Sequence, residues 1–205
     1  MKRAISLAKK GEAFVSPNPM VGAVVVKNGK IISEGWHKRF GAAHAEVEAL
    51  KGIEARGATL YVNLEPCCHH GKTPPCTDLI LQKGIKKVVI AVSDPFKKVS
   101  GKGIKILKKA GLELELGVLE KEAVNLNEVF FTFHKKKRPF VSIKAAISKD
   151  GMIAKNRNER TFLTSKEANT YTQMLRRNHS AILVGSGTVI ADNPHLGLRG
   201  VKGKE

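Results

Sequence analysis

The sequence predicts an α/β chain of two consecutive units. Short apolar runs alternate with stretches of helical spacing, the arrangement that lays helices against a sheet. Asn28-Gly29 stands between two apolar runs and marks a tight hairpin. A basic run, Lys135-Lys136-Lys137-Arg138, precedes Pro139, and beyond it the alternation of strand and helix starts again. The first unit is thereby placed at residues 1–138 and the second at 139–205.

In the first unit, residues 21–26 and 31–36 read as the two strands of the hairpin. Residues 44–53 follow as a helix, with Ala43, Val47 and Leu50 available to one face. Residues 58–63 read as a strand, 77–83 as a short helix and 88–92 as another strand. A helix over 103–110, a brief strand over 112–116 and a helix over 120–135 complete the unit. In the second unit, residues 140–147 and 181–184 read as strands and 166–177 as a helix. With 67 residues and a polar tail, it is small for an independent α/β domain.

Composition narrows the function classes. The chain has 205 residues, and 36 Lys+Arg against 18 Asp+Glu give it a net charge of +18. At 42% apolar and 26% charged residues it is globular rather than disordered. No apolar run approaches the roughly 20 residues that cross a bilayer. The apolar stretch after Met1-Lys2-Arg3 is broken by Lys9-Lys10, unlike a secretory leader. Three cysteines, two of them adjacent, suit metal or redox work rather than a disulfide framework. The expectation is a soluble cytoplasmic protein. Lysines are scattered along the chain and are not interleaved with aromatics. That distribution favours a solvated surface over a nucleic-acid platform.

The chemistry lies in two pieces, His44-Ala45-Glu46 and Pro66-Cys67-Cys68-His69-His70-Gly71-Lys72-Thr73-Pro74-Pro75-Cys76. Imidazole and thiolate together favour zinc, and a catalytic zinc keeps three protein ligands and one open position. His44, Cys67 and Cys76 fill the three places, with Glu46 as acid/base. Residues two apart do not share a face within a helix body. His44 and Glu46 therefore serve one site only at the helix N-terminus, and Cys76 likewise opens a helix behind Pro74-Pro75. Zinc brings the pKa of a bound water near neutrality, and a His-x-Glu with a later Pro-Cys pair is the zinc nucleobase-deaminase signature. The usual second half is Cys-x-x-Cys, whereas eight residues separate Cys67 from Cys76 here. A structural site closed by Cys68 or His69 would have no use for Glu46. Cys68 reads as a spare thiol, and His70 as either polar surface or a contact.

Three stretches together resemble the bifunctional riboflavin-biosynthesis deaminase–reductase family. They are Val15-Ser16-Pro17-Asn18-Pro19-Met20-Val21-Gly22, His44-Ala45-Glu46 and the long insert between Cys67 and Cys76. The second unit adds Lys144-Ala145-Ala146-Ile147-Ser148-Lys149-Asp150-Gly151, Leu163-Thr164-Ser165 and the run from Ala181 to Pro194. The resemblance implies a zinc-dependent, cytidine-deaminase-like three-layer domain followed by part of a dihydrofolate-reductase-like domain. It implies hydrolytic deamination of 2,5-diamino-6-(5-phosphoribosylamino)pyrimidin-4-one, a phosphorylated pyrimidine, and a following NADPH-dependent reduction of ribosyl to ribityl.

By the same resemblance Asn18, His37, His69, Lys72 and Asp94 meet the deaminase substrate. Lys72 is a compact cation suited to the phosphate. Ala146, Thr188 and Asp192 line the NADP site, and Arg176, Leu196 and Arg199 meet the ribotide. Gly185-Ser186-Gly187 alone is a weak phosphate-turn match. Arg160-Thr161-Phe162 stands where the family has Ser-x-Trp. The family's later glycine-rich nucleotide loop and acidic contact are not among these residues, so the reductase part is expected to be incomplete. Its uncovered apolar surface then invites a completing partner or self-association. Two other classes fit the charge: a tRNA or nucleobase deaminase, and a basic nucleic-acid-binding module with structural zinc. The His-His-Gly-Lys insert weighs against the first, and Glu46 weighs against the second.

Overall fold

The computed structural model describes residues 1–70, 74–156 and 161–201. Its first layer is built on β1 (Gly22–Lys27) and β2 (Lys30–Trp36), joined at Asn28-Gly29. Both turn residues have positive φ, 51° and 74°, the backbone that a two-residue hairpin turn of right-handed twist demands. β3 (Thr59–Val62), β4 (Lys87–Ile90) and β5 (Glu113–Leu116) complete a five-stranded sheet of order β2-β1-β3-β4-β5. β1 runs antiparallel to β2 and β3, while β3, β4 and β5 are mutually parallel.

Strand alternation decides which helix covers which face. Ala23, Val25, Leu60, Val62, Val88 and Ile90 point to one side. They pack there with Ala45, Ala49 and Leu50 of α2 (Ala45–Leu50), Ile80 of α3 (Cys76–Gln82) and Leu107 of α4 (Lys102–Lys109). On the other side Val24, Val26 and Tyr61 meet Ala4 and Leu7 of α1 (Lys2–Ala8). Leu64, Ala91 and Val92 there meet Ala123 of α5 (Glu120–Leu126) and Phe131 of α6 (Glu128–Lys136). Helices on both faces make three layers. α1 lies so close to β1 that a Cβ on Gly22 would stand 2.1 Å from the Ala4 carbonyl oxygen, so only glycine fits.

The sequence pattern left α1 unassigned, although Ala4, Ile5, Leu7 and Ala8 form its buried face. The helix expected over 120–135 is divided at Asn127, whose φ of −110° and ψ of 29° leave the helical region. The Asn127 side chain is engaged with Met20 across the fold, which holds the break in place.

The chain divides into two compact units, Met1–Phe140 and Val141–Glu205. The second contains α7 (Lys166–Arg177), capped by Ser165 accepting from the Ala168 N–H at 3.2 Å, and α8 (Ser186–Asp192). The strands expected over 140–147 and 181–184 do not form: no strand occurs among the described residues of this unit. Ile143 is 95% and Leu183 97% exposed. An apolar run becomes a strand only where a neighbour takes its backbone hydrogen bonds, and neither run pairs with a strand among the described residues. Among the described residues no helix is long and apolar enough to cross a membrane.

Candidate active site

The parallel strands β3 and β4 deliver their carboxyl ends to one edge of the sheet, where open α/β sheets place their ligands. Past β3 comes Leu64-Glu65-Pro66-Cys67, and past β4 comes Ser93-Asp94. The N-termini of α2 and α3 converge on this edge. His44 is the N-cap residue of α2 with extended backbone, φ −71° and ψ 161°, and Glu46 lies in the first turn. Cys76 is the first residue of α3. The irregular geometry at a helix start is what lets residues two apart face one point.

Three donor atoms meet there. His44 Nδ1 lies 3.3 Å from Cys76 Sγ and 3.5 Å from Cys67 Sγ, and the three ligand atoms fall within 4.8 Å of one another. A tetrahedral zinc with bonds of about 2.0–2.3 Å needs its donors roughly 3.5–3.8 Å apart. The backbone N–H of Cys76 donates to Cys67 Sγ at 3.4 Å and that of Thr77 to the Cys67 carbonyl at 3.1 Å, closing the loop between the two cysteines.

The electrostatics of this trio call for a cation. The Cys76 thiol donates to Cys67 and, with His44 beside it, holds the Cys67 pKa down at about 4. That thiolate in turn pushes the Cys76 thiol far up, with burial adding to it. His44 is raised by its bond to Cys67 and by Glu46. One thiolate thus blocks the second, and a divalent ion between them would release the proton that Cys76 still holds. Glu46 is 3% exposed, and burial, with the Cys67 thiolate adding, raises its pKa to about 7. A carboxyl that changes charge near neutrality is suited to move protons. Soft thiolates, an imidazole and such a carboxyl fit zinc, and zinc-dependent deaminases form the class that this fold and donor set define.

Around the donors two groups assemble. His37, 3% exposed, donates from Nδ1 to the Ala43 carbonyl at 2.9 Å, which leaves Nε2 to accept from Asn18 Nδ2 at 3.1 Å. Burial lowers its pKa, which favours the neutral ring, and it stands edge-on to His44 at 5.6 Å. Asp94, 8% exposed, accepts from the Phe96 N–H at 2.7 Å, and burial lifts its pKa to about 6. The Phe96 ring meets His69 edge-on at 6.1 Å, with His69 Nδ1 buried and unpartnered among the described residues. Cys68 is half-buried, and its thiol donates to the Lys98 carbonyl at 3.8 Å. Lys72 and Arg160 lie outside the described residues.

In the second unit, Arg176 of α7 donates to the carbonyls of His195, Leu196 and Gly197 at 3.4–3.5 Å. The Arg199 N–H donates to Gln173 of the same helix at 3.2 Å. Arg176, Leu196 and Arg199 are therefore brought together. The Arg176 pKa falls through burial and through Arg199 nearby. Thr188 and Asp192 lie four residues apart on α8, while Ala146 is in the unpaired segment 140–147.

Sequence reasoning missed three buried polar residues. Asn63 accepts from the Gly22 N–H at 2.7 Å and donates to the Met20 carbonyl at 3.0 Å. Asn127 accepts from the Met20 N–H at 2.7 Å and donates to the same carbonyl at 2.9 Å. Both hold the chain next to Asn18. Glu65 is the third; a single carboxylate among apolar residues at a strand exit was the only signal for it.

Residues 1–92 match the family model of the cytidine and deoxycytidylate deaminase zinc-binding region, and residues 139–205 that of the RibD C-terminal domain. Riboflavin biosynthesis protein RibD of Aquifex aeolicus is 52% identical over 201 residues, covering 97% of this chain and 56% of that protein. The Escherichia coli RibD is 43% identical, with 97% and 55% covered. The crystal structure of a diaminohydroxyphosphoribosylaminopyrimidine deaminase/5-amino-6-(5-phosphoribosylamino)uracil reductase from Thermotoga maritima superposes with a TM-score of 0.92 at 52% identity. It is matched over 100% of this chain and 59% of that one. The chain spans about half the length of the curated relatives it matches. The chain is thus similar to RibD proteins along nearly all of its length, its first part to a deaminase zinc-binding region and its second to the RibD C-terminal domain.

Proposed function

We propose that the first unit hydrolytically deaminates 2,5-diamino-6-(5-phosphoribosylamino)pyrimidin-4-one to 5-amino-6-(5-phosphoribosylamino)uracil. The observation that carries this reading is the trio of His44, Cys67 and Cys76 with the buried, near-neutral Glu46 beside it. His44, Cys67 and Cys76 would hold zinc, which when bound supplies the Lewis acidity that makes water a nucleophile near neutral pH. Glu46 takes the water's proton as the oxygen adds to C2 of the pyrimidine. It then delivers protons to the ring nitrogen and to the amino group, which leaves as ammonia. Water is consumed, ammonia released and the ring carbonyl formed, with no redox change.

Asn18 spends its Nδ2 donor on His37 and keeps Oδ1 for a donor on the pyrimidine. His37, anchored to the Ala43 carbonyl, fixes that orientation. Asp94 shapes the pocket wall, and His69 with Lys72 meets the ribose phosphate. In the second unit Ala146, Thr188 and Asp192 belong to the NADP site. Arg176, Leu196 and Arg199 meet the ribotide, the two arginines suiting its phosphate. A phosphorylated substrate and three free thiols fit a cytoplasmic setting.

Ammonia release from the diaminopyrimidine ribotide by the zinc-loaded chain tests the reading, with Glu46→Gln alongside. Loss of general acid–base work lowers the rate by about 10²–10⁴-fold, while zinc stoichiometry stays at that of the parent. A near-normal rate in Glu46→Gln removes Glu46 from the mechanism.

A further inference from the structure

The Glu65 side chain is 3% exposed and accepts three backbone N–H groups. Oε2 receives those of Asp94 at 3.1 Å and Gly101 at 2.9 Å, and Oε1 that of Ile104 at 3.2 Å. Its own N–H donates to the Val92 carbonyl at 3.0 Å. Gly101 is the N-cap of α4 and has no side chain to cap it; Glu65 supplies the missing acceptor and places negative charge at the helix's positive end. One residue on, the Pro66 carbonyl is pressed against α4, where a Cβ on Gly103 would stand 2.3 Å from it. Pro66 leads directly into Cys67.

We infer that Glu65 is a positioning residue of the metal centre: its carboxylate locks the Cys67 segment to α4 and to the Asp94 loop, fixing the Cys67 sulfur relative to His44 and Cys76. The role demands a carboxylate. An ionised carboxyl offers only acceptors, and all three N–H groups point at it. Glutamine keeps one oxygen, and its NH₂ must face an N–H, donor against donor, inside a buried site. Such an unmade bond is costly. The catalytic part of the inference rests on the deaminase reading; the geometric part does not.

The test is the cobalt(II)-substituted protein, whose visible d–d and thiolate charge-transfer bands report ligand geometry. Glu65→Gln is expected to bind one cobalt per chain with shifted bands, and the zinc form to lose about tenfold in kcat with KM within about twofold. Gly103→Ala keeps the carboxylate and displaces the Pro66 carbonyl, so its cobalt bands should shift as well. It serves where Glu65→Gln does not fold. A lower melting temperature with unshifted bands and unchanged kcat would make Glu65 a helix cap and nothing more, overturning the inference. Shifted bands in a chain that releases no ammonia from the ribotide would uphold the positioning role and overturn the substrate assignment instead.

Discussion

The two units of this chain handle apolar sequence in opposite ways. In Met1–Phe140 every strand has a partner and both sheet faces are roofed by helices. All buried apolar residues among the described ones lie between Ala4 and Phe131. In the second unit the apolar runs 141–147 and 181–184 are mostly exposed, and Gln173 is the one buried polar residue among its described residues. Apolar patterning is thus necessary for a layer but not sufficient. A run must meet both a hydrogen-bonding neighbour and an opposing face before it counts as core.

Both units contain helices, so the urea transition followed by far-UV circular dichroism reads both. Gly22→Val should produce the largest effect on that transition, about 3 kcal/mol or more, because the new side chain strikes the Ala4 carbonyl. Gly187→Val, with nothing within 4 Å of its Cβ, should leave that transition within about 1 kcal/mol. Next in size, Leu60→Ala empties a fully buried site and should cost about 2–5 kcal/mol. Leu183→Ala, exposed, should stay within about 0.5 kcal/mol. A comparable loss in both would break the contrast between the units.

The smallest effect is a pH slope. Asp94 has a folded pKa of about 6 against an ordinary 3.8, so between those values the folded state holds a proton that the unfolded chain has released. Stability therefore falls as pH rises from about 4 to 6, by on the order of 1–3 kcal/mol, and Glu46 acts with the same sign in the metal-free protein. Asp94→Asn should flatten this slope. Asp150 of the second unit is shifted the other way, held low by the Ser148 hydroxyl, and is fully exposed. Asp150→Asn should leave the slope as it is, and a change there would sink the attribution to buried carboxyls.

The convergence of His44, Cys67, Cys76 and Glu46 was legible because cysteine and histidine at those spacings have few other uses. The hairpin was legible because Asn28-Gly29 admits little else. Residues 140–147 misled because a strand's existence depends on neighbours that its own sequence does not encode. Asn63, Glu65 and Asn127 were invisible for a related reason. Their partners are main-chain atoms, which carry no residue identity, and the Asn127 partner is 107 positions away.

That separation has a bearing on biogenesis. The three candidate metal donors, His44, Cys67 and Cys76, lie between residues 44 and 76, so a chain emerging from the ribosome carries that set early. The Met20 main chain, by contrast, acquires its second anchor only when Asn127 has been synthesised and α6 has docked. A nascent or clipped chain ending before Asn127 would hold the metal donors while its Asn18 segment lacked that anchor. Ion capture would then precede competence for substrate in the order of synthesis.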